Sequence, residues 1–274
     1  MITAKSKIYK VIATSFAGIT CLLTSLSAQV IDSSFANFST HNTNQSITFT
    51  SGAVSSSNPA VTIGGTDNDI TVEGTADLSS GAFQMSGHTN GNTLSITGGI
   101  LGQLQLNSGL DTTTISGGEI ASIALGNKAG VTVNGGKILG NLQATGSSSA
   151  ATINSGIFLG DVNVSNNSTL DILGGSFDPN STLSVVGSSV VNIAGSNFLL
   201  DGEIIPLDFI PSTNAGLLTG TLADNSSFEM SVDVNNGGVI NLTAVPEPST
   251  VAAIIAAAGL LLISNRKRKR AVIV

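Results

Sequence analysis

Two carboxylates stand two residues apart at Asp67 and Asp69, within the segment GGTDND at 64–69. Residues two apart on a β-strand project from the same face, and hydrolysis of a glycosidic bond needs a pair of carboxyl groups across the substrate. The same segment resembles one copy of a calcium-binding glycine-rich repeat, although such sites need tandem copies. We favour a solvated turn here and keep calcium binding at 64–69 as a hypothesis.

The other groups that could do acid–base chemistry are isolated in the sequence. His41 and His88 lie among Asn, Thr and Gly without a Ser, Asp or Cys partner at a recognisable spacing, so we expect exposed loop residues. A polysaccharide lyase uses Arg or Lys as its base, with further cations against the uronic carboxylate, whereas the central region has only Lys128 and Lys137. The sequence therefore predicts no catalytic residue, metal ligand or cofactor. A polysaccharide lyase or glycoside hydrolase is the alternative function.

The N-terminus has the order of a secretory signal peptide, predicted over 1–28. Basic residues precede an apolar stretch over 11–26, and the small residues Ser27 and Ala28 follow it. The stretch is shorter and more polar than the roughly 20 apolar residues of a spanning helix, so we favour removal by signal peptidase over a membrane anchor. Cleavage would also remove Cys21, the only cysteine, and disulfides would then contribute nothing to stability.

The C-terminal segment 245–274 combines three features in a fixed order. The tripeptide Pro246, Glu247 and Pro248 is followed by an apolar run over 251–263 and then by five cations: Arg266, Lys267, Arg268, Lys269 and Arg270. At about 1.5 Å per residue the run spans roughly 20 Å, less than the roughly 30 Å hydrocarbon core. The cations can snorkel and stay on the cytoplasmic side. We predict a single transmembrane helix that leaves the bulk of the chain outside the inner membrane.

Together these features resemble the PEP-CTERM sorting domain of exported proteins in Gram-negative bacteria that make exopolysaccharide. The resemblance implies that an exosortase, a membrane-embedded thiol transpeptidase, reads the tail and removes it. The apolar residues 271–274 after the basic cluster depart from the family pattern. A permanent tail anchor without cleavage is the alternative.

The region between the two ends is strongly acidic. It contains all but one of the 17 acidic residues but only two of the ten basic ones, which gives about 14 net negative charges. Such a surface repels phosphate backbones, so the sequence predicts no nucleic-acid binding. The region also has no Trp and no Tyr, the residues on which sugar-processing grooves stack their substrates.

Short apolar–Gly motifs recur in this region with a step of about 19 residues. Their third residues are at 64, 80, 98, 117, 135, 155, 174 and 195. We predict one apolar column before these positions: Ile63, Leu78, Ile96, Ile115, Val133, Ile153, Ile172 and Ile193. A second column follows them: Phe83, Leu101, Ile120, Ile138, Phe158, Phe177 and Phe198. A third comprises Leu104, Ile123, Leu142, Val162 and Leu183, with partners at Leu106, Leu125, Ala144, Val164 and Val185.

Within each repeat, apolar and polar residues alternate as in strands with one buried face. A lone repeat cannot offset its own ordering entropy, so the repeats must stack. The sequence predicts an all-β parallel β-helix, a β-solenoid, with about eight coils over 61–200. We favour the right-handed form, because the six-residue step of left-handed helices leads from Ile96 to Gly102 and Ser108. An N-terminal cap over 29–60 and a C-terminal β cap over 201–244 complete the prediction.

These features predict a non-enzymatic exported protein of the cell surface or of a biofilm matrix, structural or adhesin-like. Ladders of Ser, Thr and Asn on the coils would offer hydroxyl and amide groups to exopolysaccharide or other glycans. An ice-binding solenoid is a third possibility, but it requires regular Thr ladders. The Thr residues look scattered in the sequence, and we therefore disfavour ice binding.

Overall fold

The computed structural model describes residues 9–10, 28–35, 37–53, 59–85, 90–107, 110–207 and 215–245. Every regular element in these ranges is a β-strand, which confirms the all-β prediction. The strands are β1 Tyr9–Lys10, β2 Ala28–Ile31, β3 Phe38–Thr40, β4 Ser46–Phe49, β5 Val61–Ile63, β6 Asp69–Val72, β7 Asp77–Leu78, β8 Phe83–Met85, β9 Asn90–Ile96, β10 Ile100–Leu106, β11 Leu110–Ile115, β12 Glu119–Leu125, β13 Gly130–Ile138, β14 Leu142–Ala144, β15 Ala150–Phe158, β16 Val162–Val164, β17 Thr169–Ile172, β18 Ser176–Phe177, β19 Thr182–Val186, β20 Val190–Leu200, β21 Glu203–Ile204, β22 Ala215–Leu222, β23 Ser227–Asn235 and β24 Val239–Ala244.

The strands form a β-solenoid of about seven turns with three parallel ladders, which we call faces 1, 2 and 3. Face 1 is the ladder β2, β4, β6, β9, β11, β13, β15, β17 and β20. Face 2 is the ladder β3, β5, β8, β10, β12, β14, β16, β19 and β23. Face 3 is a shorter ladder with the order β7, β10, β12, β13, β15 and β18. It uses the first residues of β10 and β12 and the last residues of β13 and β15.

Each face buries alternate side chains, and the interior is a stack of aliphatic columns. The predicted third column and its partners are confirmed, because Leu104 to Leu183 and Leu106 to Val185 follow one another in register on face 2. The second column is confirmed on face 3 from Leu101 to Phe177. These side chains are nearly all fully buried. The inter-turn pairing supplies the hydrogen bonds that a single coil lacks.

Four positions of the predicted columns are wrong. The last is Phe198, which lies in β20, the strand that pairs antiparallel with β22, and not on face 3 after Phe177. The other three belong to the first coils. Ile63 and Leu78 were predicted in the column of Ile96 on face 1. Ile63 instead aligns with Met85 on face 2, and Leu78 aligns with Leu101 on face 3. The residue that precedes Ile96 in the face 1 column is Val72. Phe83 likewise aligns with Leu104. The first coils are longer than the average step, so equal spacing in sequence assigned these residues to the wrong face.

The count of about eight coils is also too high. At the eighth motif β20 continues straight and pairs antiparallel with β22, with Gly195 opposite Leu222. A Cβ atom on Gly195 would lie 2.1 Å from the carbonyl oxygen of Thr221, so this close approach requires glycine. The eighth motif therefore ends the regular coil and does not begin another turn.

Phenylalanine side chains cluster near both ends of the core. Phe35, Phe38, Phe49 and Phe83 pack edge to face or tilted in the first turns. In the last turns, Phe158 stacks on Phe177 with ring centroids 5.1 Å apart, and Phe177 meets Phe228 at 5.4 Å. Aromatic contacts therefore join neighbouring turns near both ends of the core.

The C-terminal strands both extend and close the solenoid. Strand β23 adds a parallel rung to face 2, while β22 pairs antiparallel with β20 and β23. The turn between β22 and β23 is fastened to the last coil, because Asp224 accepts a hydrogen bond from the Gly175 N–H at 3.0 Å. At the other end β2 pairs parallel with β4, and β1 pairs parallel with β2, with Tyr9 and Lys10 opposite Gln29 and Val30.

No helix occurs among the described residues, and hence none long and apolar enough to cross a membrane. The described residues up to Thr243 belong to one compact unit. Of a second unit, Ala244–Val274, only residues 244 and 245 are described.

Candidate binding faces

The two aspartates singled out in the sequence lie at a corner between faces 2 and 1. Asp67 has a left-handed backbone, with φ 57°, in the turn that precedes β6, and Asp69 is the exposed first residue of that strand. The Asp69 carboxylate accepts a hydrogen bond from the Thr93 hydroxyl on the next turn, at 2.5 Å. Within the described ranges, no cluster of three or more His, Cys, Asp or Glu side chains has the arrangement of a metal site.

The other sequence-predicted candidates are also separated from one another. His41 is exposed in the loop after β3, where its ring lies against Gly64, while His88 lies outside the described residues. Lys128 is exposed in a turn with φ 59°. Lys137 pairs with Glu119 on the neighbouring rung of face 3, with Nζ 3.5 Å from Oε2.

A buried polar ladder occupies the corner between faces 2 and 1, and the sequence analysis did not find it. The Gln45 N–H donates to the Asn68 side chain at 2.9 Å, and the Asn68 N–H donates to the Asn92 side chain at 2.8 Å. The Asn92 N–H in turn donates to Asp111 at 3.1 Å. Asn68 Nδ2 also donates to the carbonyls of Asn42 and Gly64. We call Gln45, Asn68, Asn92 and Asp111 the corner ladder.

Serines occupy the same corner in later turns. The hydroxyls of Ser149 and Ser168 lie 2.7 Å apart, and the Ser168 hydroxyl donates to the Gly146 carbonyl at 2.7 Å. Both side chains are almost completely buried. Polar residues at this corner satisfy backbone groups that the turn would otherwise leave unpaired inside the protein. Their role is thus structural.

The outward side of face 1 carries a regular column of hydroxyl side chains. Successive parallel pairings place six residues in one line, which we call the threonine ladder: Thr48, Thr71, Ser95, Thr114, Thr132 and Thr152. The next two rungs have Asp171 and Asn192. The sequence-based description of the Thr residues as scattered is therefore wrong, because unequal coil lengths hide their alignment.

Two further polar columns flank the threonine ladder on face 1. On one side, Ser46, Asp69, Thr93 and Thr112 lie in register. On the other side, Thr50, Thr97 and Ser116 follow the buried ends of their strands, and each hydroxyl contacts a carbonyl of the preceding turn. Further along this side, Asn154 donates to Asn134 at 2.7 Å. Hydroxyl side chains therefore occupy all three columns on β9 and β11, while the middle column alone continues them on the neighbouring rungs. On β6 the two flanking positions are the carboxylates Asp69 and Glu73.

Face 2 carries a different chemistry on its outward side. Gln84, Gln105, Gln143 and Asn163, which we call the amide ladder, lie in one column that Ala124 interrupts. The Gln105 side chain also donates a hydrogen bond from Nε2 to Oε1 of Gln103, at 2.7 Å. A primary amide both donates and accepts hydrogen bonds. This column can therefore match groups that do the same, such as sugar hydroxyls.

Face 3 combines apolar and charged side chains. Ile100, Glu119, Lys137 and Ile157 follow one another in the outward column. Ile100 and Ile157 are about half exposed, and Leu139 and Leu159 are exposed nearby in sequence. Scattered surface aliphatics of this kind are common on soluble proteins.

Comparison of the chain with protein-family models, curated proteins and solved structures gives no match.

Two carboxylates have a pKa below their ordinary value. The Ser79 hydroxyl and then the Ser79 N–H donate to Asp77 and lower its pKa, against a smaller opposing effect of burial. At Asp224 the largest single effect is burial, which raises the pKa. The hydrogen bonds that Asp224 accepts from Ser226 and Gly175 together outweigh burial, so the pKa of Asp224 is lowered. Both aspartates fasten turns through these hydrogen bonds.

The sorting residues predicted from the sequence, Pro246, Glu247, Pro248 and 266–270, lie outside the described residues, as does the apolar run 251–263. Most of the predicted signal peptide does so too.

Proposed function

We propose that this chain is an exported, non-enzymatic protein of the bacterial surface or exopolysaccharide matrix, with a structural or adhesive role. The observation that carries the proposal is the in-register stack of polar columns on the outward sides of faces 1 and 2. A stack of this kind repeats one hydrogen-bonding group at each rung, about 4.8 Å apart. Repetition suits an extended polymer better than a single small substrate.

The amide ladder on face 2 is the proposed contact with glycans. The rungs are about 4.8 Å apart, so a polysaccharide can lie along the axis with amides opposite successive sugars, except at the rung of Ala124. Each contact is weak, and several together give useful affinity. The acidic character of the region disfavours nucleic acid and favours neutral glycans, or acidic ones bridged by divalent cations.

The proposed route of export rests on the two ends of the sequence. A signal peptide over 1–28 is removed by signal peptidase. An exosortase then reads the PEP-CTERM tail, with Pro246, Glu247 and Pro248 as the recognition motif, 251–263 as a transmembrane helix and the cations 266–270 on the cytoplasmic side. Within the solenoid, the proposed hand of the coil is right-handed.

The route is tested by mass spectrometry of the protein from cells with and without the exosortase, together with fractionation. We expect loss of residues 1–28 in both strains and loss of the tail only where the exosortase is present. A protein with an intact N-terminus that stays in the cytoplasmic fraction would contradict export.

The glycan contact is tested separately with the double variant Gln105→Ala and Gln143→Ala. We expect weaker retention of the variant on the producer's own exopolysaccharide and unchanged retention of the control variant Thr114→Ala and Thr132→Ala on face 1. Equal retention of all three proteins would remove the amide ladder from the proposal. Turnover of a polysaccharide that is abolished by changing Asp67 or Asp69 would replace the proposal with the enzyme alternative.

A further inference from the structure

The threonine ladder of face 1 has a geometry that the proposed glycan contact on face 2 does not use. Its middle column has six consecutive hydroxyl residues in parallel register. The rungs of a parallel sheet are about 4.8 Å apart, and residues i and i+2 of one strand are about 6.6 Å apart. The side chains therefore form a two-dimensional lattice and not a single binding pocket.

Threonine is well suited to keep such a lattice in place. Its branched Cβ restricts rotation about χ1, and neighbouring Thr side chains on adjacent strands support each other. The strands beneath are anchored by fully buried residues such as Leu94, Ile115 and Val133. Because the array is already ordered, a ligand that matches it loses little conformational entropy on binding.

The central part of the array is also uncharged. Asp69 and the exposed Glu73 lie on the second rung and Asp171 lies on the seventh. On the four rungs between them, the first and middle columns have no charged residue: Thr93, Ser95, Thr112, Thr114, Gly130, Thr132, Ala150 and Thr152. This contrasts with the acidic character of the whole region. A neutral face is complementary to a neutral ligand, because charged groups would keep their own hydration shells.

We propose that face 1 is an ice-binding face, with the uncharged part of the threonine ladder from Ser95 to Thr152 as its centre. Hexagonal ice is a neutral lattice whose surface repeats are comparable in length to the rung and strand spacings of this sheet. Each Thr offers a methyl group that fits between lattice waters and a hydroxyl that takes the place of one lattice water. Many weak contacts in register add up to adsorption, whereas a disordered liquid gains nothing from the repetition.

The test measures inhibition of ice recrystallisation and thermal hysteresis by the purified exported protein and two matched double variants. Thr114→Lys with Thr132→Lys places two long cations at the centre of face 1. Gln84→Lys with Gln105→Lys makes the same charge change on two adjacent rungs of face 2, as Thr114 and Thr132 are adjacent on face 1. Circular dichroism and thermal unfolding verify that each variant is folded.

We expect the unmodified protein and the face 2 variant to inhibit recrystallisation, and the face 1 variant to need at least about tenfold more protein for the same effect. If the lysine variant fails to fold, Thr114→Ala with Thr132→Ala replaces it, with a smaller loss expected. An unmodified protein without effect on ice, or equal activity of the face 1 and face 2 variants, would overturn the inference. Export and glycan retention are measured independently, so their failure is distinguishable from this one.

Discussion

The backbone N–H of Asn68 donates to the side-chain Oδ1 of Asn92, one turn further along, at 2.8 Å. Asn68 is itself only 1% exposed, and its Oδ1 accepts from the Gln45 N–H. The corner ladder therefore transmits one hydrogen-bonding pattern through several turns. It fixes the corner between faces 2 and 1, from which every strand of face 1 starts.

Replacing Asn92 with Ala should destabilise the solenoid by about 1–3 kcal/mol, because a buried N–H at Asn68 then has no acceptor. Chemical denaturation measures the loss. The matched control is Asn134→Ala, since Asn134 also pairs with an asparagine of the next turn but is exposed. We expect a change within about 0.5 kcal/mol for that control. Equal losses in the two variants would contradict the structural role of the corner ladder.

The glycines after face 1 are required at particular positions. Gly118 has φ 82°, and a Cβ there would lie 2.7 Å from the Gly98 carbonyl oxygen. Gly118→Ala therefore forces both an unfavourable backbone and a displacement of the previous turn, and should destabilise by at least about 1–3 kcal/mol. Gly130 has no close neighbour and no positive φ, so Gly130→Ala should be neutral or slightly stabilising. Thermal unfolding of the two variants distinguishes these results, and a more harmful Gly130→Ala would contradict the register.

The stacked rings at the C-terminal end should act as one packing unit. Phe158 is about 1% exposed and lies between Ile138 and Phe177 in the buried column of face 3. Phe158→Ala should cost about 3–5 kcal/mol through lost burial and a cavity. Leu at the same position retains part of the volume and should cost less. If both variants unfold at the same denaturant concentration as the original protein, the ring does not lie in the core.

Asp77 gives the protein a pH-dependent contribution to stability. Its pKa is lowered in the folded state by the Ser79 hydroxyl and N–H, so the contribution is present above the unfolded value, about 3.9, and is lost as the pH falls through the folded value. Ser79→Ala should raise the pKa of Asp77 toward that ordinary value, as NMR titration measures. Stability should fall slightly at pH 7, and the loss should be smaller at pH 2, where protonation removes the charge that the Ser79 hydroxyl stabilises.

The control for this prediction is Ser80→Ala, since Ser80 is the exposed neighbour of Ser79. This change should leave the titration of Asp77 where it is. A loss of stability in Ser79→Ala that is larger at pH 2 than at pH 7 would show that the hydroxyl acts by some other contact.

The sequence was sufficient for the fold class because the interior of a solenoid repeats. From Ile96 onward the coil length varies little, so Leu104, Ile123 and Leu142 line up in sequence as they do in space. Before Ile96 the coils are longer: Asn68 and Asn92 are 24 residues apart, while Ser149 and Ser168 are 19 apart. Equal spacing then placed Ile63 and Leu78 on the wrong faces.

The polar features were harder to predict than the core. Thr, Ser and Asn are frequent everywhere in the chain, so their alignment depends on register and not on composition. The threonine ladder is recognised only from the parallel pairings of Ser95 with Thr114, Thr114 with Thr132, and Thr132 with Thr152. The corner ladder was missed for the same reason, since an asparagine in a turn has the same sequence context whether it is buried or solvated.

The most direct test of the account is the distance between spin labels at the two ends of the threonine ladder. Cysteines are introduced by Thr48→Cys and Thr152→Cys in a Cys21→Ser background, and pulsed electron paramagnetic resonance measures their separation. The two labelled residues are separated by five steps between neighbouring strands, each about 4.8 Å. The expected distance distribution has a single peak at about 24 Å, with a width set by the label linkers. A broad distribution extending far beyond that distance would contradict the in-register solenoid and the proposals based on its faces.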